Sequence, residues 1–291
     1  MAIDTGVIGL GNIGNGVAKN LAKAGYKVTG FDIDPQRVTD AGAQPAEGAA
    51  GVAAKSDMVV VALANITAYE ETMTALANSG KAGLVVADCC TFPEETKEAT
   101  HAQLAAAGIV LLDCPVSGAR PQSQAGELAM TVSGDRAAFD RVEEALNAFC
   151  SSVIHVGEFG ASIKIKYILN LMVAIHNLTC AEAFVMARKA GIDLDLFVDV
   201  VNNSSARLQI FKTRTPQWTS GDYINNITAA LAIQMKDKDI IEDFAKKLGV
   251  PTPLFDVAAK HYEEATERGW IDQDAAVIMK LLEEKAGIPR D

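Results

Sequence analysis

Two polar side chains interrupt an apolar helical stretch at a spacing that could do chemistry. Lys166 and Asn170 lie in Gly160-Ala-Ser-Ile-Lys-Ile-Lys166-Tyr-Ile-Leu-Asn170. Four residues of helix bring them to one face. An amine there could take or give a proton, and an amide could orient a substrate. Taken alone, Lys166 reads first as a lysine snorkelling from a helix start, as Lys164 does. A second pair, Ser117-Gly118, stands in Asp113-Cys-Pro-Val-Ser-Gly-Ala-Arg120. Its hydroxyl and unobstructed N–H suit one end of a small carboxylate. An ordinary Ser-Gly turn has the same composition.

The elements that would position these groups begin with the first strand. Val7-Ile8 feeds Gly9-Leu-Gly11-Asn12-Ile13-Gly14, and a helical pattern follows through Val17 and Leu21. The first glycine permits a tight turn, the second admits a pyrophosphate to the backbone, and the third lets helix and strand pack closely. The helix start presents N–H groups and a positive dipole end to phosphates. A second strand, Tyr26–Phe31, ends at Asp32, 23 residues after Gly9. An acid about 20 residues on accepts hydrogen bonds from the adenosine ribose. Its charge would repel a 2′-phosphate, which favours NAD over NADP.

Strand-like runs recur at 5–9, 27–32, 58–63, 84–88, 110–113, 129–133 and 152–156, with helical patterns between most of them. Strand–helix alternation predicts an α/β fold, a Rossmann-type doubly wound sheet with a mixed edge. After 160 only helical patterns remain: 163–190, 193–202, a less regular 204–216, then 226–248, 252–267 and 273–286. The expected domains are therefore 1–162, which binds NAD, and 163–291, an all-α domain for substrate binding and oligomerisation. Ligands of open α/β sheets bind beyond the carboxyl ends of the strands, where Leu63, Asn65, Thr91 and Ser117 fall.

Bulk properties narrow the function. The 291 residues are 49% hydrophobic and carry a net charge of −11, which argues against a nucleic-acid surface. An anionic substrate is compatible with it, since a local cationic pocket can sit in an acidic protein. The five cysteines fit no metal spacing and read as reduced thiols of a cytoplasmic protein. Cys89-Cys90 reads as apolar filler rather than a redox pair. No signal peptide is visible before the first strand. The apolar stretch 167–187 contains Asn170, His176, Asn177 and Glu182, so a buried helix fits better than a membrane span. Trp218 and Trp270 are expected to pack, and Asp272 and Asp274 to form a solvated turn and first helical turn with no metal.

Gly9-x-Gly-x-x-Gly14, Asp113-x-Pro-Val-Ser-Gly118, Gly160…Lys166-x-x-x-Asn170 and Lys236-Asp237 occur in the order that resembles the β-hydroxyacid dehydrogenases, from Val7 to about Leu282. The resemblance implies an NAD-dependent 3-hydroxyacid dehydrogenase acting on a small anionic hydroxy acid. It implies cofactor contacts from Gly9, Gly11, Asn12, Ile13, Gly14, Asp32, Leu63, Asn65, Thr91 and Lys236. It places the substrate carboxylate on Ser117, Gly118 and Ala119, makes Lys166 the catalytic lysine and Asn170 the orienting amide, and brings Lys236 to the active site. A homodimer or homotetramer is also implied. Departures from the family pattern at Ala119, Arg120 and Gln122 put 3-hydroxyisobutyrate itself in doubt as substrate. Arg120 and Gln122 would either contact a second polar group or be surface residues. The competing readings are an imine reductase-like enzyme, which usually lacks the lysine, and a catalytically silent NAD-binding sensor.

Overall fold

The computed structural model describes residues 3–225 and 227–289, and the chain divides into two compact units, Met1–Lys166 and Tyr167–Asp291. In the first unit β1 (Thr5–Ile8), β2 (Val28–Phe31), β3 (Gln44–Pro45), β4 (Met58–Val61), β5 (Val85–Asp88) and β6 (Val110–Asp113) run parallel. The chain then returns through β7 (Val116–Ser117), β8 (Leu128–Ser133) and β9 (Cys150–Gly157). The order is β3-β2-β1-β4-β5-β6-β8-β7, with β9 also on β8. β8 is antiparallel to β6, so the expected mixed edge is present. The helices of this unit are α1 (Gly14–Lys23), α2 (Pro35–Asp40), α3 (Gly48–Ala54), α4 (Ile66–Ala77), α5 (Glu94–Ala106), α6 (Arg120–Ala125) and α7 (Arg136–Asn147).

Strands buried on both faces explain the continuous apolar runs that the sequence shows. Alternate side chains feed two separate cores: Val7, Met58, Val60 and Val85 enter one with Val17 and Leu21 of α1. Ile8, Val59, Val61 and Val86 enter the other with Val52, Tyr69 and Leu104. The elements β3, α3, β7 and α6 were not expected. α3 reads Gly-Ala-Ala-Gly-Val-Ala-Ala, too small and too weakly periodic to announce itself. It forms because Val52 and Ala53 are fully buried.

The second unit holds most of α8 (Ala161–Lys189) with α9 (Leu194–Asn202), α10 (Gln209–Ser220), α11 (Leu231–Leu248), α12 (Pro253–Glu267) and α13 (Ile278–Lys285). α10 replaces the expected irregular stretch and tolerates Pro216 inside it. It is held by an aromatic cluster of Phe184, Phe197, Phe211 and Trp218, with the Trp218 indole donating to Ala276 O. Trp218 therefore packs, as expected. Asp274 does not lie in solvent. It is fully buried, pairs with Arg214, and accepts from Thr228 N at 2.7 Å and Ala229 N at 3.1 Å. These bonds keep 227–230 out of helix, which is why α11 starts at 231 rather than 226; Asn226 lies outside the described residues. α8 is long and apolar enough to cross a membrane by length and composition. Its burial is one-sided: Ala174, Leu178, Ala181 and Phe184 are inside, while Ile168, Met172 and Met186 are exposed.

Beneath the carboxyl ends of β5 and β6 lies a wholly buried ionic network. The Lys97 ammonium, from α5, is 2.5 Å from Asp113 Oδ1 and 3.2 Å from Asp88 Oδ2, and donates to Cys90 O. Burial alone would lower its pKa, but Asp113 and Asp88 outweigh it and hold the ammonium above the ordinary lysine range. Asp88 also accepts from the Tyr69 hydroxyl at 2.7 Å and from Cys90 N at 2.9 Å. Removing one partner of a buried pair leaves charges that neither water nor protein compensates. Lys97→Met is expected to destabilise the fold by about 3–5 kcal/mol. A thermal or urea midpoint equal to wild type would contradict that compensating role.

Candidate active site

The parallel register places the ends of β1, β4 and β5 side by side, with Ile8 opposite Val61 and Val61 opposite Asp88. The segments expected along the cofactor are thereby adjacent: Gly9–Gly14 after β1, Leu63 and Asn65 after β4, and Thr91 after β5. Gly9 has φ +83°, and a Cβ there would lie 2.4 Å from Ala62 O. A Cβ on Gly14 would lie 1.9 Å from Gly9 O, so helix and strand meet through a gap only glycine leaves. Gly11 differs: the nearest atom to its absent Cβ is Arg37 Nη1 at 3.9 Å. That open space is where the motif requires a pyrophosphate to approach the backbone. α1 follows with no side-chain cap on its first turn, Ile13 standing at the N-cap position; a helix start of this kind suits an anion.

Asp32 lies at the end of β2 with a side chain only 6% exposed. Its oxygens accept from Leu10 N at 2.7 Å and Asp34 N at 3.0 Å. These bonds fix the carboxylate beside the glycine turn, and each oxygen retains acceptor capacity for a ribose hydroxyl. Arg37 Nη1 stands 3.8 Å away, half exposed. Asn65 caps α4 by accepting from Ala68 N, and Leu63 N points to Cys90 Sγ at 3.2 Å. The residues present fit a nicotinamide dinucleotide, which supplies the hydride acceptor when bound.

Ser117 and Gly118 are exposed beyond β6. Gly118 has φ +134°, and a Cβ there would meet Leu128 at 2.8 Å, so this turn requires glycine. Ala119 N donates to the Gln122 side chain at 3.0 Å. Gln122 is thus committed to the start of α6, and the Ala119 N–H is already engaged. Arg120 is exposed at the first position of α6.

Lys166 and Asn170 fall on one unbroken helix, and both are half-buried. Lys164 is different: it is exposed and pairs with Glu94 at 2.6 Å. Within the second unit the Asn170 amide donates to Asp237 Oδ2 at 2.8 Å, and Lys236 Nζ donates to Asp237 Oδ1 at 2.6 Å. Asp237 therefore orients the Asn170 amide and balances the Lys236 charge, a role that sequence reading did not assign to it. Arg214 and Lys238 are likewise matched by carboxylates. The cysteines are all buried. Burial, foremost, pushes the Cys89 and Cys90 thiols well up, which leaves them inert fillers.

Comparisons with known proteins find relatives over nearly the whole chain. The family model for the NAD binding domain of 6-phosphogluconate dehydrogenase matches residues 4–157, and that for the NAD-binding of NADP-dependent 3-hydroxyisobutyrate dehydrogenase matches 160–282. The L-threonate dehydrogenase of Cupriavidus necator is 32% identical, over 97% of each chain. The 2-(hydroxymethyl)glutarate dehydrogenase of Eubacterium barkeri is 29% identical, over 99% of this chain and 97% of its own. A 3-hydroxyisobutyrate dehydrogenase crystal structure from Salmonella typhimurium superposes with a TM-score of 0.88 at 30% identity, covering 96% of this chain and 99% of that one. With the glycine turn, Asp32, the Ser117–Gly118 turn and the lysine helix each in its place in the chain, the protein belongs to the β-hydroxyacid dehydrogenase family of NAD-dependent oxidoreductases.

Proposed function

We propose that the enzyme interconverts a small 3-hydroxy acid and its aldehyde or ketone, with Lys166 as general acid and base. The observation that carries the reading is the helix that bears Lys166 and Asn170 one turn apart without interruption. In oxidation the neutral Lys166 amine accepts the alcohol proton, and a bound nicotinamide would supply the acceptor for the hydride; in reduction the Lys166 ammonium returns the proton. A lysine suits this because its amine changes charge state on burial, as arginine does not. Asn170, oriented by Asp237, hydrogen-bonds the substrate, and Ser117 with Gly118 holds its carboxylate. Ala119 contributes through backbone shape rather than a free N–H, since Gln122 accepts from it. Arg120 is the exposed cation nearest that turn in sequence and suits a second acidic or hydroxyl group on the substrate. The substrates named by the relatives span such groups, and those names favour a hydroxy acid over the imine of an imine reductase-like enzyme and over a silent sensor.

The adenosine end follows from Asp32, whose charge selects NAD against the 2′-phosphate of NADP. The five buried thiols suit a reducing compartment such as the cytoplasm. A second copy of the chain is the proposed cover for the apolar residues that the helical unit leaves exposed: Met186 is 72% exposed, Leu196 59% and Val200 57%.

Three measurements test these readings. Lys166→Ala should lower kcat by roughly 10²–10⁴-fold with near-normal NAD binding, assayed on 3-hydroxyisobutyrate, threonate and 2-(hydroxymethyl)glutarate; turnover close to wild type would sink the assignment. Asp32→Ser should raise the kcat/KM ratio of NADP to NAD about tenfold or more, and an unchanged ratio would remove Asp32 from cofactor choice. Light scattering should give a dimer or tetramer that Met186→Asp combined with Val200→Asp dissociates. A monomeric wild type would refute the second copy.

A further inference from the structure

The start of α8 is capped in an unusual way. The residue before it, Gly160, has no side chain and a φ of +89°, so no local N-cap of the common Ser, Thr, Asp or Asn type is available. Ala161 N donates locally to Glu158 O, but the next two N–H groups are satisfied from two distant strand ends. Ser162 N donates to Ser133 Oγ at 3.0 Å, and Ile163 N donates to Asp113 Oδ2 at 2.8 Å. Ser133 Oγ itself donates to Asp113 Oδ2 at 3.2 Å, across the one register pair that joins β6 to β8. Asp113, Ser133, Ser162 and Ile163 are all fully buried. Without water as an alternative partner, a displaced helix start would leave these groups unsatisfied. The carboxylate also meets the positive end of the helix dipole.

We propose that Asp113 and Ser133 are positioning residues that hold Lys166 in register with the Ser117–Gly118 turn. Lys166 follows Ser162 by four residues and Ile163 by three, so it rises from the same face one turn beyond the capped N–H groups. Asp113 is also the residue from which the backbone runs through Cys114 and Pro115 to Ser117. Its side chain thus fixes the lysine helix while its main chain carries the carboxylate-binding turn. Lys97 locks Asp113 from the far side at 2.5 Å. A local N-cap would satisfy the helix equally well but would tie it to neither strand. An error of about 1 Å in placing a proton-transfer group can cost about 10²-fold in rate.

The proposal rests on Lys166 as the acid and base. The test uses the full chain with Ser133→Ala, Ser133→Thr and Asp113→Asn, and Lys166→Ala in parallel. Ser133→Ala removes the acceptor for Ser162 N and should lower kcat about tenfold with the KM for NAD unchanged. Ser133→Thr restores the hydroxyl and should recover most of that loss. Asp113→Asn keeps an acceptor but breaks the Lys97 pair. If it folds, it should show the same split between kcat and KM; if it does not, the Ser133 pair decides alone. Wild-type kcat in Ser133→Ala, or a parallel loss of NAD affinity in that variant, would overturn the positioning role. Turnover that survives in Lys166→Ala would overturn the acid–base reading and this proposal with it. An inactive Lys166→Ala beside an unaffected Ser133→Ala would overturn the positioning role alone.

Discussion

One buried carboxylate, that of Asp113, organises the first unit. It has no contact with solvent, and its polar partners reach it from three other elements. Lys97 comes from α5, Ser133 from β8, and the Ile163 N–H from the start of α8. Asp88 shares the same ammonium and is itself closed off by Tyr69 and Cys90 N. Two carboxylates and one ammonium leave a residual negative charge, and the positive end of α8 is turned toward it. A buried charge is tolerated only when paired and hydrogen-bonded. That condition fixes the distances among β5, β6, β8, α4, α5 and α8 more strictly than apolar packing would.

The cofactor side is governed by a different constraint, steric rather than electrostatic. Gly14 sits where any side chain would strike Gly9 O, and Gly16 where it would strike Ser123. Asn20 reinforces the second contact by donating to Ser123 O. α1 is therefore pressed against both the first strand and α6, while of the three motif glycines Gly11 has open space beside it. The glycines of the motif do separate jobs. Two, Gly9 and Gly14, are required by protein already present, and Gly11 is not.

The helical unit answers its polar residues in the same manner as the sheet. Asn170 and Lys236 converge on Asp237. Asn177 donates to the Tyr262 hydroxyl and to Ala275 O. Arg214 and Asp274 close the loop that precedes α11. The long helix α8 carries the whole range along its length: capped donors at its start, then Lys166 and Asn170, then apolar faces turned partly inward and partly to solvent.

The sequence alone determined what depends on neighbours within a turn or a pleat. The parallel strands, the glycine turn, Asp32 and the shared face of Lys166 and Asn170 are all legible, because periodicity and motif spacing are local properties. It also announced the family, since four motifs in order leave little freedom. The elements it hid are those whose stability is borrowed. α3 carries two glycines and almost no apolar period, α6 is only six residues long, and α10 contains Pro216; local signals are weak or adverse in each, and packing decides. Asp274 read as solvated because its partner Arg214 is 60 residues away. Lys97 carried no signal at all, for a lysine on a charged helical stretch reads as surface until the two aspartates at the strand ends are brought beneath it. Tertiary structure alone decided which charges are buried together, because the electrostatic partner of a buried ion is set by distance in space and leaves no period in the chain.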